Sequence, residues 1–186
     1  MGTAEDTGAI EERLDKLLRS VNDWLKFAET KNAGIVGLSS GGAAVGLAFV
    51  NTSEVSRSWL IVGLYALAGL SLLLSLSLAL GSFLPQMTLT KLLAGDDYGV
   101  PQPDDNLYFY GHLAKYPPRD LVEAIARRYE ERAPPVTIAE RVIDLAEQVV
   151  INSRITVWKL RLFQRAVALF ALAIVALALA VIVGSV

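Results

Sequence analysis

Cysteine is absent from this 186-residue chain, histidine occurs once, and charged residues make up only 19% of it. Without cysteine there is no disulfide scaffold, no thiolate nucleophile and no zinc-finger ligand set. A single imidazole, His112, excludes a His-rich metal site and a catalytic His pair. The scarcity of charge is matched by 53% hydrophobic residues and a mean hydropathy of +0.44, too apolar for an ordinary soluble domain and the opposite of a disordered chain. Seventeen basic residues against nineteen acidic ones leave a net charge of -2, so nothing draws the whole chain to nucleic acid. No Gly-Lys-Ser/Thr phosphate loop occurs, and no catalytic residue, metal or cofactor is expected.

What is present is long apolar sequence. No Asp, Glu, Lys or Arg occurs in residues 32–53, 58–90 or 166–186. A helix rises ~1.5 Å per residue, so about 20 apolar residues cross a hydrocarbon core of ~30 Å. Three spans are expected, at 34–50, 59–84 and 166–186. The first contains five glycines, which are tolerated in bilayers where helices pack closely. Gly37/Gly41, Gly42/Gly46, Ser71/Ser75 and Ser77/Gly81 are each four apart, and such small-residue faces suit packing within one protomer or between copies. With no charge inside the spans, a polar transport path in a single chain is disfavoured, and a conducting assembly would be oligomeric.

Lys and Arg set the orientation. Five lie in residues 1–33, only Arg57 lies in the 51–58 link, and eleven lie in 85–165. The N-terminus and the 85–165 region are therefore expected in the cytoplasm, with Val186 outside. No signal peptide is expected, because the N-terminus is acidic and the first apolar run begins at residue 34. Asp6 also breaks the myristoylation pattern after Met1-Gly2.

In the first cytoplasmic piece, Ile10, Leu14, Leu17, Val21, Trp24 and Ala28 repeat with 4-3-4-3-4 spacing, predicting an amphipathic helix over 1–33 with one partner-seeking stripe. Pro85 ends or kinks the second span. Residues 95–106 read as a loop, with the acidic pairs Asp96-Asp97 and Asp104-Asp105 expected in solvent. A helix is predicted from Pro117-Pro118 to about Arg132, and Thr137 with Glu140 forms a capping-box pattern for the next one. Neither Gly nor Pro occurs from 136 to 183, so one helix is expected to run from the cytoplasm through the third span. Its soluble half carries an apolar stripe at Ile138, Val142, Leu145 and Val149 and a second at Ile151, Ile155, Trp158 and Leu162. Asn152 marks the change of face. The fold class is thus an all-α membrane protein, with four parts at 1–33, 34–84, 85–165 and 166–186.

The aromatic cluster 107–116 contains His112 and Lys115 and offers rings for stacking and a cation for phosphate; a small aromatic core accounts for the same spacing. Arg127-Arg128, Arg154 and Lys159 suit an anion or simply a solvated face, and Lys159, Arg161 and Arg165 also fit the positive-inside pattern.

Three segments together resemble the Pycsar transmembrane effector family. Residues 24–34, Trp-Leu-Lys-Phe-Ala-Glu-Thr-Lys-Asn-Ala-Gly, are similar to its aromatic-x-Lys/Arg-Phe-Ala-acidic-x-Lys entry to the first span. Residues 106–114 are similar to its Phe-Phe-Gly-x-Ile-Ala element, with Tyr110 in place of the second Phe. Residues 147–155, followed by Lys159 and a last apolar span, resemble its closing pattern. The resemblance runs in order over 10–186 and implies an antiphage effector. A neighbouring pyrimidine cyclase makes cyclic CMP or cyclic UMP on infection, and the effector then impairs the inner membrane. On that reading Tyr108, Phe109, His112, Lys115, Arg154 and Lys159 are the candidate ligand residues. Gly37, Gly41, Gly42, Gly46, Ser71 and Ser75 are the candidate helix-packing residues. The partners are the lipid bilayer, the cyclic nucleotide and further copies of the chain, with no nucleic acid. A membrane scaffold recruiting a cytoplasmic protein is the rival reading, and a small-solute channel unrelated to defence is the third.

Overall fold

The computed structural model describes residues 3–52, 58–84, 98–129 and 138–184. These residues form five helices and no strand: α1 (Thr3–Thr52), α2 (Trp59–Gly81), α3 (Tyr110–Leu113), α4 (Pro118–Tyr129) and α5 (Glu140–Gly184). The expected all-α class is what is found. Two compact units are present. The first combines Met1–Phe27 with Pro85–Trp158, the second Ala28–Leu84 with Lys159–Val186, and α1 and α5 contribute to both. Pro85, Asp96-Asp97, Arg132 and Thr137 lie outside the described residues.

The first unit buries the predicted stripe of α1. Ile10, Leu14, Leu17 and Val21 meet Leu121, Val122, Ile125 and Ala126 of α4, and Val142, Ala146, Val149 and Val150 of α5. Leu107, Leu113 and Tyr116 close that core from the segment around α3. Each buried Leu, Val or Ile contributes about 1.5–3 kcal/mol, and this apolar face is what holds the helices together. Glu11 pairs with Arg141, and Asn22 accepts a hydrogen bond from Asn152 at 2.8 Å, so α1 and α5 run parallel here.

Two expectations for these helices are corrected. Trp24 does not continue the buried stripe: it stands 40% exposed, its ring against Tyr110 and Phe27. Near that level α1 and α5 are joined by the Asn22–Asn152 hydrogen bond rather than by an apolar contact of Trp24. The second apolar stripe of α5 is also not the buried one, since Ile151 is exposed while Ser153, Thr156 and Lys159 are buried. Small or internally bonded polar residues allow close helix approach. The Thr156 hydroxyl donates to the Asn152 carbonyl at 2.8 Å, and Lys159 is neutralised by Glu29.

The second unit is a three-helix arrangement of the C-terminal part of α1, α2 and the C-terminal part of α5. Ile35 lies with Ala79, Ser39 with Ser75, and Gly42 against Leu72, so α2 runs antiparallel to α1. Glu29 with Lys159 and Gly42 against Phe170 make α5 parallel to α1. Among the described residues, two helices are long and apolar enough to cross a membrane: α2, with a mean hydropathy of 2.1, and α5, whose most apolar stretch reaches 3.1. Their large apolar side chains face outward, including Leu60, Leu67, Leu70 and Leu73 on α2 and Leu172, Val175 and Leu179 on α5. That distribution is costly in water and favourable in lipid, and the chain is a membrane protein. Residues 34–50 are helical and pack in the same bundle. Their five glycines and Ser39-Ser40 keep them below the apolarity of the other two.

Candidate functional site

Most of the candidate ligand residues belong to a clasp formed by residues 98–116 of the first unit. Asn106 opens it: its side-chain oxygen accepts the Tyr108 N–H at 2.9 Å, and its carbonyl accepts the Phe109 N–H at 3.0 Å. This Asx turn projects Tyr108 and Phe109 outward, both half-exposed, and delivers the chain into α3. Gly111 leaves the Phe109 ring its place, because a Cβ there would lie 2.5 Å from the ring edge and push it aside.

The clasp is held by Asp105, which is only 3% exposed and corrects the expectation of a solvated loop acid. One carboxylate oxygen accepts from Lys115 Nζ at 2.6 Å, and the other accepts the Gln102 N–H at 2.8 Å. The Asp105 carbonyl accepts from Arg128. Burial pushes the Asp105 carboxyl up, but the Lys115 hydrogen bond, the Gln102 N–H and the charge of Lys115 outweigh it, so the acid is held below its ordinary value. His112 Nδ1 accepts the Asn106 N–H at 2.8 Å, and its ring stands edge-on to Phe109 at 5.2 Å. Lys115 is therefore half of a buried ion pair, and His112 braces the turn.

Arg154 comes from α5 to the same clasp. Its Nε donates to the Ala114 carbonyl at 2.9 Å, and its guanidinium lies 5.4 Å from the Tyr98 ring centre. These carbonyls lie just past the C-terminal end of α3, where a cation is favourably placed. Arg13 of α1 donates to the Tyr108 hydroxyl at 3.0 Å and stacks over Tyr129 at 4.5 Å. Tyr108, Phe109, His112, Lys115 and Arg154 thus fall in one neighbourhood of the first unit. Trp24 joins them through Tyr110 at 5.2 Å, and Phe109 touches Tyr110 at 4.5 Å. The three segments that carry the family resemblance meet here, through Trp24, Tyr110 and Arg154.

Lys159 is not among them. It belongs to the second unit, where its side chain is 9% exposed and donates to Glu29 at 2.6 Å. Asn32 completes that cluster, donating to the Ala28 carbonyl at 2.9 Å and the Lys159 carbonyl at 3.2 Å. Of the candidate packing residues, Gly42 makes the close approach, its Cβ position lying 3.3 Å from Leu72. Ser75 donates to the Ala166 carbonyl at 2.8 Å and meets Ser39 at 3.0 Å, and Ser71 is buried beside them. Gly37, Gly41 and Gly46 have open space where a side chain would stand.

Sequence reasoning missed Glu29, Asn32 and the Asn22–Asn152 pair, because each has a partner distant in the chain, and it missed Asp105 by taking its turn-rich segment as solvated. Only the Asp105–Lys115 pairing within one turn-rich segment left a local signal. Among the described residues, no three His, Cys, Asp or Glu side chains are placed to hold a metal ion.

No curated protein and no solved structure matches the chain. The family model for the Pycsar effector protein domain matches residues 13–184, which include α2, α3, α4, α5 and all but the first turns of α1. Membership implies an antiphage defence effector of the membrane class rather than a known enzyme family. The chain belongs to the Pycsar effector family.

Proposed function

We propose that this effector is switched on by a cyclic pyrimidine nucleotide, cyclic CMP or cyclic UMP, and then impairs the inner membrane, so that an infected cell dies or stops growing before phage mature. The base stacks on the half-exposed rings of Tyr108 and Phe109 beside His112. Lys115 and Arg154 hold that surface in shape through Asp105 and the α3 carbonyls, and Lys159 acts in the response within the second unit. The three apolar stretches, including 34–50, cross the bilayer with the N-terminus cytoplasmic and the C-terminus outside. Several copies of the chain act together in this response.

The observation that best supports this reading is the contact of the Trp24, Tyr110 and Phe109 rings in the first unit, with Trp24, Phe109 and the neighbouring Tyr108 exposed. Water-exposed ring clusters are uncommon without a ligand or partner, and bases stack on such rings for about 1–3 kcal/mol each. Ligand binding can shift the protein only as far as it prefers the active arrangement. The test is titration of detergent-purified full chain with cyclic CMP, cyclic UMP and cyclic AMP, followed by tryptophan fluorescence. One pyrimidine nucleotide is expected to bind, and Phe109→Ala and Arg154→Ala are expected to weaken it at least tenfold while leaving membrane insertion intact. Unchanged binding in both variants removes this placement of the site, and no binding of any nucleotide favours the scaffold reading.

A further inference from the structure

In the second unit several polar side chains are inside while most of the leucines of α2 are outside. Asn32, Ser39, Ser71 and Ser75 are almost fully buried, whereas Leu67, Leu70, Leu73 and Leu74 of the same bundle are exposed. The donors of Ser75, Ser39, Asn32 and Lys159 along this seam are engaged. Ser75 gives its proton to the Ala166 carbonyl, so across the 3.0 Å contact Ser39 must be the donor to Ser75. The Asn32 amide donates to two carbonyls, and the Lys159 ammonium donates to Glu29. What remains unused is acceptor capacity. The Asn32 side-chain oxygen is fully buried with no hydrogen-bond partner, and such an orphan calls for water or a cation.

The polar seam also stops part-way. From Asn32 to Gly42 is ten residues of α1, about 15 Å of helix and half the hydrocarbon thickness. At the level of Gly42 the interior becomes Leu72 and Phe170, packed with Ala68, Ala173 and Ala176. Toward Ile61 of α2 and Ala180 of α5 the buried residues are apolar. A packed seam that carries oxygen acceptors thus ends at two large apolar side chains, the arrangement of a hydrophobic constriction.

We propose that Asn32, Ser39, Ser75 and Ser71 line the closed half of a permeation path for small monovalent cations, and that Leu72 and Phe170 are the gate that seals it. This rests on the reading that the protein impairs the membrane, and it names the route. Cations suit the lining because the orphan valence of Asn32 is a lone pair and the buried Lys159 ammonium beside it is neutralised by Glu29. Opening requires the helices to part at Leu72 and Phe170, which would join the polar seam to the far side of the bilayer.

The experiment reconstitutes full-length protein in phospholipid vesicles loaded with potassium and carboxyfluorescein. Leu72→Ser is expected to raise potassium efflux at least tenfold without nucleotide while retaining the dye. Leu73→Ser, the same change on the exposed face one residue away, is expected to stay at the wild-type rate. Adding Ser39→Ala and Ser75→Ala to Leu72→Ser should return efflux most of the way to wild type, with circular dichroism confirming equal helix content. Efflux undiminished by the alanines, or dye released as fast as potassium, overturns the proposal. Nucleotide-triggered efflux in wild type that ignores the serine substitutions sinks the route and leaves the effector reading standing. Serine-dependent leak in Leu72→Ser with no nucleotide response in wild type supports the route and removes the effector reading.

Discussion

Glu29 and Lys159 stand 130 residues apart in the chain and 2.6 Å apart in space, joining α1 to α5 at the start of the membrane-facing unit. Lys159 is the buried partner and Glu29 is 45% exposed, so the two are not equivalent. Removing the acid leaves an ammonium with nothing to compensate its desolvation; removing the ammonium leaves a carboxylate that water can reach. Glu29→Gln is therefore expected to cost about 1–3 kcal/mol, discounted for the exposure of the acid, and Lys159→Met less. Thermal unfolding in lipid nanodiscs checks this, and a larger loss in Lys159→Met than in Glu29→Gln would contradict it.

The Asp105–Lys115 pair predicts a pH dependence of the clasp. The Asp105 acid is held below its ordinary 3.8, so between the two values the unfolded chain binds more protons than the folded one. Its stabilisation is fully present above pH 3.8 and is lost as pH falls through the depressed folded value. Near-ultraviolet circular dichroism, which reads Tyr98, Tyr108, Tyr110 and Tyr116, should show an acid transition in wild type that is weaker in Asp105→Asn. Lys115→Met alone should be more destabilising than the double variant Asp105→Asn/Lys115→Met. Equal acid transitions in wild type and Asp105→Asn would show that the pair does not set the clasp.

Gly111 predicts a separation of stability from response. A methyl group at this position meets the outer edge of the Phe109 ring, which is half-exposed and free to swing outward. Gly111→Ala is expected to change stability by less than about 1 kcal/mol, since alanine also favours the helix. It should nevertheless displace Phe109 from Tyr110 and His112 and weaken nucleotide response at least tenfold. Full response in this variant would mean that the ring's position is irrelevant to the signal.

The sequence made the helices legible where apolar residues alone decided burial. Ile10, Leu14, Leu17 and Val21 were readable because their period matches a single buried face, and 59–84 and 166–186 were readable from charge-free length. Reading failed where a polar residue is buried with a partner far away. Asn152 looked like the end of a stripe because its Asn22 partner lies 130 residues distant. Lys159 read as a solvated-face or positive-inside residue because its Glu29 partner is equally distant. Within the candidate site, Tyr108, Phe109 and His112 were placed together by sequence proximity. The engagement of Lys115 by Asp105 and of Arg154 by the Ala114 carbonyl depends on folding of the clasp, which no spacing rule encodes. Trp24 entered the same neighbourhood only through its contact with Tyr110.

The central claim is that a cyclic pyrimidine nucleotide turns this membrane protein against its own bilayer. The direct measurement is membrane potential in living cells that express the chain, with cyclic CMP, cyclic UMP or cyclic AMP supplied by a co-expressed cyclase. Collapse of the potential with one pyrimidine nucleotide and not with cyclic AMP is the predicted result. An unchanged potential under all three nucleotides, with the protein present in the membrane, would contradict the account.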